Sequence, residues 1–402
     1  MSNITFCWEL GAGYGHIAGF QALADGLIRR KHTVNALLRN TASAAAFFKH
    51  DALKIEAAPF SRPAKKHTSP TISYADIIQR LGYDSIDTLL PLVEHWRKKF
   101  IHNNTELIIA DHSPTALLAA RTLGIPATDY GNGFFSPPAI YPLPTLTPWL
   151  KSAPGFLEQI ESQVLSVINS VLLHYSKIGL SHLHELFAIE ENFLCTFPEL
   201  DHYNNRPADA YWGPRFSNNT GVTAQWPANN RQNIFVYAKK NYRLLDKLLF
   251  SIGQIDANIL LHCAGLSNEM INTHASDNLV FSNDPVQMNS LMGKVDLVIN
   301  HAGHGVASAC LLMGIPQLLL PMQLEQMMLA NKLKWLRLCD MVPTWDKSPD
   351  YSDLIKSTMQ NTDLQKQVKL FANYYHGFDR NQQIEEIILC CEDILATQKK
   401  AL

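Results

Sequence analysis

The chain is 402 residues long, 47% hydrophobic and 17% charged, with a formal net charge of -2. That length accommodates two domains with separate cores, and the composition is that of a globular chain, not a disordered one. A near-neutral balance offers no basic face to a phosphate backbone, which argues against nucleic acid as a partner.

The cysteines lack metal-ligand spacing and most lie in apolar runs, so they read as reduced core residues of a cytoplasmic protein. Residues 1–10 show no positively charged leader pattern and already read as a strand. No run of about 18 apolar residues occurs, so membrane contact is expected to be peripheral at most.

Residues 4–10 form the first expected strand. The loop Gly11-Ala12-Gly13-Tyr14-Gly15-His16 follows, then a helix over 17–30 and a second strand over 32–39, a βαβ opening. Such a loop raises a dinucleotide reading. Its fingerprint asks for a glycine where His16 stands and for an acidic residue where Arg39-Asn40 closes the second strand, so NAD is disfavoured and NADP rests on Arg39 alone. His16 at a helix start is either a cap or a functional imidazole that the helix dipole keeps neutral.

Residues 41–105 give fewer signals. Arg62, Lys65, Lys66 and His67 lie between prolines in a polar loop, read as solvated or as a lid over an anionic acceptor; 87–100 reads as a helix with Arg97, Lys98 and Lys99 complementing its dipole. The next strand, 106–110, ends at Asp111, and Ser113-Pro114 opens a helix that stops at Gly124-Ile125-Pro126. Ligands of open α/β sheets gather at strand carboxyl ends, which would put Asp111 and His16 on one rim; the other reading makes Asp111 an N-cap two residues early. Pro137, Pro138, Tyr141, Pro142, Pro144, Pro148 and Trp149 form a rigid, flat-sided stretch, the expected acceptor wall. Residues 159–173 read as an amphipathic helix packing on its own domain.

Residues 195–201 read as a last strand and exit, and 203–230 is turn-rich. Residues 233–238 begin a second α/β set and end at Lys239, either an exposed strand-end lysine or a phosphate contact. Further strands are expected at 258–263 and 278–281. The β-branched run 295–299 stops at a loop with His301, Gly303, His304 and Gly305; a helix over 306–313 is stopped by Gly314-Ile315-Pro316; the strand 317–320 follows, and Glu325-Gln326 opens another helix. Unpaired amides at a helix start, reached across Gly303 and Gly305, suit a diphosphate, to which His301 is placed to donate a ring N–H, while Glu325 and Gln326 suit sugar hydroxyls. A glycine turn with a capping histidine is the alternative.

His301-x-Gly303, Gly314-Ile315-Pro316 and Glu325-Gln326 together resemble, in order and separation, the donor-binding signature of GT-B glycosyltransferases, the nucleotide-sugar-dependent superfamily that includes the plant and bacterial UDP-glycosyltransferases. The resemblance implies an α/β chain of two Rossmann-like domains facing a central cleft. An acceptor-binding domain would span 1–205, a linker 206–232, a nucleotide-sugar-binding domain 233–380, and a helix over 381–402 would return to the first domain. His16 matches the family's Gly-His after the first strand, a catalytic base, and Asp111 matches the partner that fixes its tautomer. The donor would be bound by Val286 through its backbone to the base, by His301, Gly303, His304, Gly305 and Val306 at the diphosphate, and by Glu325 and Gln326 at the sugar, with Lys239 a candidate phosphate contact. Departures from the plant pattern are Gly305-Val306 in place of Asn-Ser, Ala309 in place of a ribose-binding Glu, and Asn283 or a neighbour in place of a base-stacking Trp. A bacterial-type member is the better comparison.

The expected activity is inverting, metal-independent transfer of a sugar from a UDP- or dTDP-type donor to an acceptor hydroxyl. The nucleotide sugar is a co-substrate, with no other cofactor; the acceptor is a small molecule, a glycan or a lipid-linked group. Rival readings are a nucleotide-sugar epimerase or hydrolase on the same fold, and a donor-binding protein without turnover.

Overall fold

The computed structural model describes all residues except 12–14, 43, 45–51, 62–68, 204–205, 207–210, 217–220 and 402. Arg62, Lys65, Lys66 and His67 of the basic loop, and Pro207, Asn218 and Asn219 of the turn-rich segment, therefore lie outside the described residues. The chain divides into two compact units, Met1–Arg215 with Asp379–Leu402, and Phe216–Phe378.

Unit 1 runs through β1 (Asn3–Trp8), α1 (Gly15–Arg29), β2 (Thr33–Leu38), β3 (Leu53–Ala57), α2 (Tyr74–Ile78), α3 (Ile86–His102), β4 (Leu107–Asp111), α4 (Pro114–Leu123), β5 (Ala127–Gly131), α5 (Phe156–His174) and β6 (Glu191–Leu194). Its strands form one parallel sheet in the order β3-β2-β1-β4-β5-β6. Helices on both faces leave the central strands no wet side, so β1, β4 and β5 are buried along nearly their whole length, and β4 reads as an apolar run without alternation. β3 is different. It lies at the edge, with Lys54 exposed, and its alternating Leu53-Lys54-Ile55-Glu56 gave no strand signal in the sequence. The last strand of the unit is Glu191–Leu194, ahead of the expected 195–201. Beyond it Asp201 is tied to Arg206.

Unit 2 repeats the plan with β7 (Asn233–Tyr237), α6 (Leu245–Gly253), β8 (Asn258–His262), α7 (Asn268–Thr273), β9 (Leu279–Ser282), β10 (Leu297–Asn300), α8 (His304–Leu312), β11 (Gln317–Leu319), α9 (Leu324–Trp335), β12 (Asp340–Met341), α10 (Tyr351–Gln360) and α11 (Thr362–Tyr374). The sheet order is β12-β11-β10-β7-β8-β9. In each unit the second and third strands step outward one way from the first, and the fourth starts again on its other side. The crossovers diverge between β1 and β4, and between β7 and β10, and that is where an open α/β sheet receives a ligand.

The chain then re-enters unit 1 as α12 (Arg380–Ala401). Ile384, Ile387, Ile388, Cys391 and Leu395 recur at helical spacing and share one core with Ile17, Phe20, Leu23 and Leu27 of α1 and Ile4 and Phe6 of β1. The two helices approach closely at Gly26, where a β-carbon would lie 2.4 Å from Ile388 Cδ1. The seven cysteines are free, and all but Cys390 are buried. Among the described residues no helix is long and apolar enough to cross a membrane.

Ile387→Ala removes a fully buried side chain from the shared core and is expected to lower stability by about 2–5 kcal/mol in urea denaturation. Leu389→Ala, on the exposed side of the same helix, is expected to change it by less than about 0.5 kcal/mol.

Candidate functional site

In unit 1 the chemistry gathers where β1 and β4 part. Trp8 and Asp111 are register partners at their carboxyl ends, and His16 lies in the first turn of the helix that follows β1. Asp111 is fully buried; its Oδ1 accepts from His16 Nδ1 at 2.8 Å and its Oδ2 from Arg215 Nη2 at 2.6 Å. Burial alone would raise the Asp111 carboxyl, but the Arg215 and His16 charges and their hydrogen bonds outweigh it and hold the group below the ordinary carboxylate value. An ionised carboxylate has no proton to give, so the Nδ1 proton belongs to His16 and the lone pair is on Nε2. Nε2 has no partner among the described residues, and the side chain keeps 15% of its surface exposed.

The ring is clamped on its faces as well. Trp8 stacks on it with centroids 5.0 Å apart. Gly11, at φ +83°, passes so close that a β-carbon there would lie 2.8 Å from Nε2, so only glycine fits both that backbone and that contact.

Asp111 caps nothing: the start of α4 is served by Glu9, whose Oε2 accepts from Thr115 N at 2.9 Å and Oε1 from Thr115 Oγ1 at 2.6 Å. Burial pushes the Glu9 carboxyl up to about 7 against the downward pull of those bonds. Arg39, on which an NADP reading rested, donates to the Glu9 carbonyl at 2.8 Å and lies over the Phe60 ring.

The proline-rich stretch has no regular helix or strand; Pro137, Pro138, Leu143 and Leu146 are buried, as are Phe134 and Phe135 just before it, while Tyr141, Pro148 and Trp149 are exposed. A buried pair holds it: Arg206 binds Asp201 and donates to the carbonyls of Ser136 and Gly133, while Glu161 accepts from Leu143 N. Phe135 stacks on His112, whose imidazole burial drives down to about 3, so that ring stays neutral.

In unit 2 the corresponding divergence carries the glycine loop. Ala302 bends the chain at φ 55° after β10, with its N–H on Asn300 Oδ1, and Gly303 is the N-cap of α8. No side chain caps this helix, so the amides of Gly305 and Val306 have no partner among the described residues, and a β-carbon on Gly303 would meet nothing within 4 Å. Open backbone amides at a helix start are chemically suited to an anion. His304 is buried in the same turn against Ser308, and Ala309 is in the core behind it.

His301 departs from its expected role. Its Nε2 accepts from the backbone N–H of Lys239 at 2.9 Å, so Nδ1 carries the proton and donates it to the Leu320 carbonyl at 2.7 Å. The ring N–H assigned to a phosphate oxygen is spent on backbone. His301 instead ties the ends of β7, β10 and β11 together, and burial, chiefly, lowers its pKa to about 4. Lys239 is half-buried rather than an exposed strand-end lysine, with Glu325 as its charged neighbour; burial lowers its ammonium and Glu325 pulls the other way. Gln326 is buried at the start of α9, its Oε1 taking the N–H of Met322.

Val286 is placed by a bridge to Val222: Val222 N donates to Pro285 O and Val222 O accepts from Gln287 N. Adjacent residues in extended backbone point their polar groups oppositely, which turns those of Val286 away from Val222. Gly221, at φ +113°, permits the contact, since a β-carbon there would fall 2.0 Å from Pro285 O. Among the described residues no group of three or more His, Cys, Asp or Glu is placed to hold a metal ion. Arg215, Glu9, Trp8 and Gly221 were not singled out from the sequence. An acidic residue closing an apolar strand was a readable signal for Glu9; Arg215, beside a Gly-Pro turn, gave none.

No family model and no curated protein matches the chain. Solved structures do. The chain has the fold of the GT-B glycosyltransferases, two six-stranded parallel sheets each flanked by helices. It is similar to the calicheamicin glycosyltransferase CalG4 (TM-score 0.72, 15% identity, 98% of each chain covered). It is also similar to glycosyltransferase VinC in complex with dTDP (TM-score 0.68, 14% identity, 97% of this chain and 99% of that one). A third is the spinosyn rhamnosyltransferase SpnG complexed with spinosyn aglycone (TM-score 0.68, 14% identity, 96% and 99%). At such identities the likeness is one of fold.

A histidine whose folded pKa is depressed favours the native state fully above its unfolded pKa of about 6.5, and that contribution is lost as pH falls toward about 4. The stability advantage of the native protein over His301→Gln is therefore expected to shrink by about 3 kcal/mol on acidification from about pH 7 to about pH 4, measured by urea unfolding.

Proposed function

We propose that the protein is an inverting glycosyltransferase that moves a sugar from a UDP- or dTDP-type donor to an acceptor hydroxyl. What supports the reading is complementary chemistry at the same topological point of the two sheets: an oriented imidazole in unit 1, and an uncapped helix N-terminus in unit 2. His16 Nε2 takes the acceptor proton as the acceptor oxygen attacks the anomeric carbon. The bond from that carbon to the diphosphate breaks in the same displacement, which inverts the centre. Charge growing on the leaving diphosphate is met by the α8 amides and dipole, with Lys239 nearby in unit 2 adding a cation, so the reading needs no metal. Imidazolium formed at His16 is stabilised by Asp111.

Val286 would hold the base through its backbone, and Glu325 and Gln326 the sugar. The dTDP of the VinC complex and the aglycone of the SpnG complex support a nucleoside-diphosphate donor and a small-molecule acceptor.

A thermal-shift screen of UDP, dTDP and GDP sugars selects the donor. With it, His16→Ala is expected to lower transfer by about 10²–10⁴-fold while leaving donor binding intact. Donor consumption that needs no acceptor would make the protein a hydrolase or epimerase instead, and donor binding with no turnover against a panel of aglycones would make it a binding protein.

A further inference from the structure

We propose that Arg215 is a positioning residue for His16, acting through Asp111: it fixes which carboxylate oxygen meets the imidazole and offsets enough of the carboxylate charge to keep that imidazole a base near neutral pH. This rests on His16 being the general base.

The arrangement is built for one contact. With Oδ2 held by Arg215 at 2.6 Å, Asp111 has only Oδ1 to present to His16. The two side chains are 7% and 0% exposed, so the pair is desolvated. The guanidinium lies 4.8 Å from the centroid of the Tyr130 ring, and Tyr130 is itself fixed by its hydroxyl on Gly19 O at 2.9 Å. Gly19 follows His16 on the same helix, and a β-carbon on it would sit 3.0 Å from Arg215 Cδ, so α1 leaves room for the arginine stem beside the histidine it serves. Nη1, buried, has no hydrogen-bond partner among the described residues. A buried cation left partly unsatisfied is poor value for stability, and its worth has to be sought in what it does to Asp111.

The electrostatic need is plain. An unopposed buried carboxylate beside an imidazole favours the imidazolium, which cannot accept a proton. The other titratable groups at this end of the sheet do not supply the offset in the same way. Asp129, at β5, is raised to about 8 by burial and then by Asp111, and Glu9, at β1, to about 7 by burial, while His112, at β4, is neutral. Arg39, at β2, is engaged with Glu9, and Arg380 of α12 acts on Tyr130 and Cys195. Arg215 is the cation on Asp111 itself.

The test is the titration of the His16 imidazole by NMR, its resonance assigned by loss in His16→Ala. Arg215→Met is expected to move the His16 titration to higher pH, and Arg215→Lys to leave it near native. Should Arg215→Met fail to fold, the comparison of Asp111→Asn with Asp111→Asn/Arg215→Met serves, because the double variant strands no buried charge; His16 is expected to titrate higher in the double variant. The acid limb of kcat/KM is expected to move to higher pH in step with the NMR value. An unchanged His16 titration in both comparisons overturns the role of Arg215. A shifted titration in a protein whose transfer survives His16→Ala would instead retain the ion-pair effect and overturn the general-base reading.

Discussion

Everything functional in this chain follows from one constraint on parallel sheets: the crossovers leave β1 and β4, and again β7 and β10, in opposite directions. No helix can cover the strand ends at such a divergence, so backbone groups and side chains there are left to be satisfied by one another or by a ligand. The protein answers differently in its two units. In the first it fills the gap with charged side chains, His16, Asp111 and Arg215, held by short hydrogen bonds. In the second it spends its side chains on bracing the strands, His301 on the Lys239 amide and the Leu320 carbonyl, and leaves helix amides open.

The contrast suits the tasks proposed for each. A proton has to be moved by a titratable group whose protonation state the surroundings control, and three coupled side chains provide that control. A diphosphate carries its charge throughout and is best met by dipoles already in place, which need no reorganisation when it arrives or leaves. Rigid bracing by His301, with its imidazole kept neutral by burial, serves that end better than a mobile cation would.

Much of this was legible in the residues. Apolar runs marked the central strands, and the strand-loop-helix order put His16, Asp111 and the Gly303–Val306 turn at strand carboxyl ends, where the structure has them. What escaped was of two kinds. β3 alternates because it is an edge strand, and over a few residues such a pattern does not stand out from a loop. Arg215 and Gly221 matter only through partners over sixty residues distant in sequence, Asp111 and Pro285, and no local spacing announces such a contact. His301 was found but misjudged: a polar residue at a strand end looks available until the carbonyl and amide that consume it are seen.

The shared core of α1 and α12 bears on how the protein is made. The apolar stripe of Phe20, Leu23 and Leu27 is translated early, yet the helix that covers it is translated only after the whole of unit 2. During synthesis unit 2 therefore has its full sequence first, and the opening unit waits on the ribosome with an uncovered greasy flank, a natural place for a chaperone to hold on.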